Sequence, residues 1–465
     1  MRGGAYLWDN LWYGGHYPLA SYSLLYYFPA AVVGNLALVI AATAVSAALF
    51  ASVSARAWGV LATWPARAFA VLGAMAPLVT GTYPFALGLT ALLASLRALQ
   101  SNRVVVALAC AALALGFSPL AFVFLVLALL AALGARPRLD GRAVRVGLAI
   151  GALVAIELAI AATFPATGDP PFTVDAFAGV LALCAFAALL AVRAPQGRTL
   201  AAFFLLWAAA SVVAFALPTP IGSNLARLRL VAFPLVLLAA CLARFRPPLL
   251  ALGAIVLALL ATVAPYRTQI PSIVNGRTDE AAFWVSPLAF LRAHADPNYR
   301  VEVIPTGGHW EAFYLPRAGF PLARGWYRQL DMSENPLLYR KRLNPAAYRG
   351  WLRRMGVRFV LRAHAGLDGN GTATEAALVD SGRSGLVQVF GDRSWSIYEL
   401  PKATPLLTPA GAARLTHVGR ELVTGWARKR GSYRLRIHYT PDWQVEQGAV
   451  CTLRAADGMT VLRVE

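Results

Sequence analysis

The chain has 465 residues, of which 58% are hydrophobic and 14% charged, with a formal charge of +20. That is too apolar for a soluble globular protein of this length and points to membrane burial. The basic excess is nearly all arginine, in part the signature expected of a GC-rich coding sequence. No basic stretch is interleaved with aromatics as a strand-binding groove requires, so nucleic acid is set aside as a partner.

Charge is unevenly spread. Residues 1 to 267 hold five acids (Asp9, Asp140, Glu157, Asp169 and Asp175) and 16 arginines without a lysine, a net +11, while residues 268 to 465 hold 17 acids and 26 basic groups, a net +9. An apolar compartment followed by an Arg-rich aqueous one is the expected organisation. Cys110, Cys184 and Cys241 lie in apolar runs and Cys451 stands alone, so neither a disulfide framework nor a metal-binding cysteine pair is expected.

The opening segment, 1 to 28, reads as an outer loop. It lacks the charged and apolar regions of a signal peptide, and a membrane helix ahead of it is expected to be missing. Asp9, His16 and Tyr17 sit there among Trp and Tyr rings. Two readings stand together: an interfacial aromatic belt with an incidental acid, or a general base, Asp9, held at the membrane surface with His16 and Tyr17 on the substrate.

Apolar runs follow at about 29 to 52, 68 to 82, 84 to 96, 104 to 116, 118 to 133, 146 to 164, 175 to 192, 199 to 217, 230 to 243 and 248 to 265, so about ten helices are expected over 29 to 267. Crossing a bilayer takes roughly 20 helical residues, so the runs between 68 and 116 are short enough to be broken or re-entrant. If the opening loop is outside, the inner connections carry Arg56, Arg67, Arg97, Arg103, Arg136, Arg138, Arg142, Arg145, Arg193, Arg198, Arg244 and Arg246, and the outer ones only Arg227 and Arg229. Such asymmetry predicts a multi-pass cell-membrane protein with its C-terminal domain extracytoplasmic.

Glu157 falls mid-run, where an ionisable group is either a pathway residue or a protonated hydrogen-bonding partner between helices. The outer segment 218 to 229 brings Asn224, Arg227 and Arg229 together. Guanidinium matches phosphate oxygens, so this is a candidate lipid-phosphate site; the alternative is snorkelling to headgroups, with Asn224 capping a helix.

Beyond Arg267 the pattern predicts strands at 300 to 305, 357 to 362, 386 to 390, 395 to 400 and 433 to 439, and helices near 281 to 295 and 345 to 355. We read an α+β domain over 268 to 402 and a small mostly β unit over 403 to 465. His309, Trp310, Glu311, Arg324 and Trp326 are polar and aromatic groups suited to an acceptor cleft or lid, or to a core with buried ion pairs such as Arg324 with Asp331. His309 and Glu311 lack a third ligand at metal-site spacing, and no metal or cofactor is expected.

A carboxylate in the first outer loop, the run Gly15-His16-Tyr17-Pro18, many short helices and an outer C-terminal domain together resemble the GT-C superfamily of polyprenyl-phosphate-sugar glycosyltransferases. More closely, they resemble the bacterial membrane proteins labelled "6-pyruvoyl-tetrahydropterin synthase-related", a label that implies no pterin chemistry for this group. The resemblance implies a GT-C-like fold and sugar transfer from a polyprenyl-phosphate carrier to an envelope glycan or lipid acceptor, with the catalytic role on Asp9. Many members have paired acids there, whereas Asn10 follows Asp9 here. The alternatives are a non-catalytic envelope protein on the same scaffold, or a transporter or flippase using Glu157. Phosphate-loop, zinc-protease and serine-elbow motifs are absent from the sequence.

Overall fold

A computed structural model describes residues 7–18, 23–135, 140–164, 172–217, 221–369 and 371–465, leaving aside the side chains of 268 and 271–275. Met1, Arg136, Arg138, Asp169 and the 218–220 stretch lie outside the described residues. The chain divides into two compact units, one spanning 19–270 and the other joining 3–18 to 271–465.

The first unit is helical, and its breaks follow local chemistry. Gly34, at φ 90°, separates Tyr27–Val33 from Asn35–Trp58. Ser118 ends Val104–Phe117 and caps Pro119–Gly134, accepting from the Ala121 N–H, with Pro119 in the first turn where its missing N–H costs nothing. Asp140 and Thr173 cap Gly141–Thr163 and Val174–Val192 in the same way. Among the described residues, six helices are long and apolar enough to cross a membrane: Asn35–Val79, Gly141–Thr163, Val174–Val192, Arg198–Ala216, Gly222–Leu242 and Pro248–Arg267.

That count is six by length and composition, against the ten expected. Val104–Phe117 and Pro119–Gly134 are apolar but short, at 14 and 16 residues. The 68 to 82 run is not a helix of its own: it falls into a π-turn at Phe69–Gly73 and the single turn Ala76–Val79, which continue Asn35–Val79. The core gathers around Leu125, Leu183, Cys184, Phe204 and Trp207. Gly141–Thr163 buries only Ile150, leaving an apolar surface that suits lipid rather than water.

The second unit contains a four-stranded sheet of β1 (Arg300–Val303), β2 (Val357–Ala363), β3 (Val387–Gly391) and β4 (Trp395–Glu399), in the order β1-β2-β4-β3. β1 and β2 are parallel, joined through a crossover that contains Pro345–Met355, and β2, β4 and β3 pair antiparallel. That helix is bounded by its own sequence. Asn344 accepts from the Ala346 and Ala347 N–H groups, and Gly356 takes the left-handed conformation at the C-terminal end. Trp284, Trp351 and Trp395 are fully buried in this unit.

The tail forms β5 (Leu407–Thr408), β6 (Ala413–Val418), β7 (Val423–Ala427), β8 (Gly431–His438), β9 (Val450–Arg454) and β10 (Met459–Val464), as the sheet β5-β8-β10-β9 and the ladder β6-β7. The opening segment belongs to this unit. The Leu11 carbonyl accepts from Leu322 N–H at 2.8 Å, the Gly14 carbonyl accepts from His438 N–H at 2.7 Å, and Leu11 packs with Leu406, Leu407 and Ile437.

Candidate functional site

Asp9 and His16 face each other across a backbone bridge, Asp9 N–H to His16 O at 2.9 Å and His16 N–H to Asp9 O at 3.2 Å. Gly14 and Gly15, at φ 77° and 110°, supply the left-handed turn between them. The Asp9 side chain is buried and both oxygens are engaged: Oδ1 accepts from Leu11 N–H at 2.8 Å and Oδ2 from Arg420 Nη1 at 2.5 Å. Burial raises its carboxyl pKa, and the Arg420 charge opposes that rise.

His16 stacks on Trp12 at 5.5 Å and lies edge-on to Tyr13 and Tyr327. Its ring nitrogens meet no hydrogen-bond partner among the described residues, and burial depresses its pKa to about 4. Tyr17 shares a hydrogen bond with Thr440 Oγ1 at 2.8 Å and donates to Asp442 at 3.2 Å. The opening loop therefore serves as a folded plug of the C-terminal unit.

A more accessible cluster lies on the turn after β1. Gly307 N–H donates to Gly366 O at 2.7 Å and Asp368 N–H donates to Pro305 O at 3.0 Å, which draws two distant loops together. Gly308 and His309, both at positive φ, then turn the imidazole toward that second loop. His309 Nδ1 lies 3.1 Å from Glu311 Oε1, and Nε2 lies 3.7 Å from Asp368 Oδ2. Glu311 Oε2 accepts from Thr306 Oγ1 at 2.6 Å, and Arg328 donates to Asp368 at 2.6 Å.

Burial alone would lower the His309 pKa, but the bond to Glu311 and the charges of Glu311 and Asp368 outweigh it, so the net direction is upward. Trp310, Phe313 and Trp326 are exposed in the same unit, the two tryptophans each at 37%. Among the described residues, no group of three or more His, Cys, Asp or Glu side chains is arranged to hold a metal ion.

Arg324 is buried deeper. It donates to Glu302 Oε1 and Glu375 Oε2, each at 2.8 Å, and reaches Asp331 Oδ2 at 3.4 Å. Tyr339 and Asn335 also donate to Asp331, and Tyr348 donates to Glu375. Such a closed network acts as a structural brace rather than a binding face.

In the membrane unit, Asn224, Arg227 and Arg229 lie on the 3₁₀ turn Gly222–Val231. Residues three apart eclipse in that geometry, so Asn224 and Arg227 share a face and Arg229 lies on another. Glu157 is half-buried on Gly141–Thr163 with no hydrogen-bond partner among the described residues. Asp9 thus belongs to one unit and the Asn224–Arg227 face to the other.

Sequence reading missed Asp368, Arg328 and Arg420. Each meets its partner across tens to hundreds of residues and carries no local motif. No family model matches the chain, and no curated protein matches it either.

Proposed function

We propose that this multi-pass membrane protein transfers a sugar from a polyprenyl-phosphate carrier to an extracytoplasmic envelope acceptor, with the C-terminal unit recognising the acceptor. The observation that carries the reading is the grouping of His309 with Glu311 and Asp368, on a unit that exposes Trp310 and Trp326. Indole faces suit the apolar faces of sugar rings, and carboxylates and a guanidinium suit hydroxyls.

In this reading the acceptor hydroxyl oxygen attacks the anomeric carbon and the bond from that carbon to the phosphate oxygen breaks. The electron pair leaves with polyprenyl phosphate, and the hydroxyl proton passes to His309 Nε2. Glu311, paired with Nδ1, fixes the tautomer and steadies the imidazolium. The base role assigned to Asp9 by resemblance passes to His309, because both Asp9 oxygens are already engaged. Asp9 becomes a positioning residue for the opening segment. Within the membrane unit, Asn224 and Arg227 are the residues suited to hold a lipid phosphate, with Arg229 the weaker candidate because it lies on another face of the turn.

The arginine asymmetry of the sequence supports an extracytoplasmic C-terminal unit. A second reading, a non-catalytic envelope protein, is favoured by the structural engagement of Asp9. The test is transfer of a labelled sugar from a polyprenyl-phosphate donor by the purified chain and by its His309→Gln, Asp9→Asn and Arg227→Ala variants. Loss in the His309 and Arg227 variants supports transfer. Undiminished transfer in both rejects the assignment of residues, and no transfer by the wild type leaves the non-catalytic reading.

A further inference from the structure

The membrane unit contains a cavity of about 750 Å³. Its walls are mostly Leu, Val, Ala and Phe side chains, and its polar lining gathers at one end, where Gln100, Arg142, Gln196 and Thr199 meet Trp58. Hydrogen bonds tie that end together: Trp58 Nε1 donates to Gln196 O at 3.1 Å, Gln100 Nε2 to Val53 O at 3.0 Å, and Arg142 Nη2 to Leu99 O at 2.5 Å. The remaining Arg142 N–H groups have no protein acceptor among the described residues. Gln100 Oε1 is buried and meets no donor there.

Chemistry at the two ends of the cavity differs, as the two ends of a lipid do. The cavity is partly open at the surface of its own unit, and the medium around membrane helices is hydrocarbon, so its apolar walls are in reach of lipid chains. Among the described residues no acidic side chain lines the cavity, and Arg142 is the one formal charge in its lining. The nearest acid in sequence, Asp140, uses Oδ1 to accept from Ala143 N–H at 2.7 Å as a helix cap. Guanidinium is the side chain best matched to phosphate, and an unmet carbonyl oxygen asks for an N–H or O–H.

We infer that this cavity is a binding site for one phospholipid, with acyl chain in the apolar part, phosphate on Arg142 and a headgroup ammonium or hydroxyl on Gln100. Phosphatidylethanolamine and phosphatidylglycerol carry such a donor and phosphatidylcholine does not. The site is separate from the Asn224–Arg227 face and does not depend on the transfer reading.

The test is native mass spectrometry of the detergent-purified full chain, titrated with phosphatidylethanolamine, phosphatidylglycerol, phosphatidylcholine and a polyprenyl phosphate. Three variants accompany it. Arg142→Gln removes the phosphate partner. Gly151→Leu fills the cavity from a position where an added Cβ meets nothing within 4 Å, and Gly253→Leu is an equally open control that does not line the cavity.

The wild type is expected to retain one lipid, with the ethanolamine and glycerol headgroups held about tenfold better than choline. Arg142→Gln should weaken retention by about tenfold, the worth of one charge-assisted hydrogen bond. Gly151→Leu should abolish retention and Gly253→Leu should leave it intact. Equal retention of phosphatidylcholine, binding that never saturates at one lipid, or wild-type retention by Arg142→Gln overturns the proposal. Preferential uptake of polyprenyl phosphate, or a lipid-free dimer, overturns it in favour of another occupant.

Discussion

Replacing Glu302 by glutamine is expected to leave the C-terminal unit nearly as stable as before, whereas replacing its partner Arg324 by methionine is expected to cost roughly 3–5 kcal/mol. Arg324 faces Glu302, Asp331 and Glu375, all buried, so full ionisation would leave two negative charges uncompensated. Asp331 and Glu375 receive additional hydroxyl or amide donors, but Glu302 Oε2 has none. Burial is the largest influence on the Glu302 carboxyl and holds its pKa well above 4.5, with Arg324 opposing and Glu375 reinforcing. Glu302 is therefore the carboxyl of the group held most strongly toward its neutral form.

The sign of the pH dependence follows. A carboxyl whose folded pKa is raised stabilises the fold below its unfolded pKa, and that contribution is lost as pH rises through the folded value. Glu302→Gln removes this loss, so the variant should gain on the wild type between pH 5 and pH 8. Thermal unfolding of the detergent-solubilised chain, followed by tryptophan fluorescence, measures it; Trp351 reports on the network because its indole donates to Asn335 at 2.8 Å. At about 2–4 °C per kcal/mol for a unit of this size, Arg324→Met should lower the transition by roughly 6–20 °C. A Glu302→Gln transition that falls as far as that of Arg324→Met at pH 7 would refute the reasoning.

Three further outcomes are expected. A double-mutant cycle between Asp9→Asn and Arg420→Gln should give a coupling of about 1 kcal/mol, modest because Arg420 is partly exposed; zero coupling would dissolve the proposed tie of the opening segment. His16 and His438, both depressed to about 4 by burial, should withdraw stability as pH falls from 6.5 toward 4, and His438→Gln should flatten that slope in a thermal pH series. Gly325→Ala places a Cβ 2.7 Å from the Tyr13 ring and 2.9 Å from the Trp12 ring, so a cost of about 1–3 kcal/mol is expected in the same unfolding assay.

What the sequence revealed was mostly local. The break expected between 116 and 118 and the helix expected near 345 to 355 fall where the structure has them, because Ser118 and Asn344 cap the helices that follow and Gly356 ends the second in a left-handed turn. The β-rich tail was only partly legible: its short strands, broken by glycines and charges, give no sustained alternation outside β8. The opening segment left two readings open, an interfacial belt or a base at the membrane surface, because its rings are apolar and its acid has no partner nearby in sequence. It folds into the C-terminal unit through pairings such as Leu11 with Leu322 and Gly14 with His438, which span hundreds of residues. The His309–Glu311 pair was visible at a spacing of two, while Asp368 enters through loop hydrogen bonds that no periodicity announces. Likewise the 3₁₀ turn at Gly222–Val231 separates Arg229 from Arg227, although the two look equivalent in one dimension.

Glycosyl transfer is tested most directly by single-turnover assay of the purified chain with a labelled sugar on polyprenyl phosphate, across a pH series. The account predicts product formation that rises with pH as His309 loses its proton, and a loss of about 100-fold or more in His309→Gln, the usual worth of a general base. Product formed at the wild-type rate by His309→Gln, with the same pH profile, would contradict it.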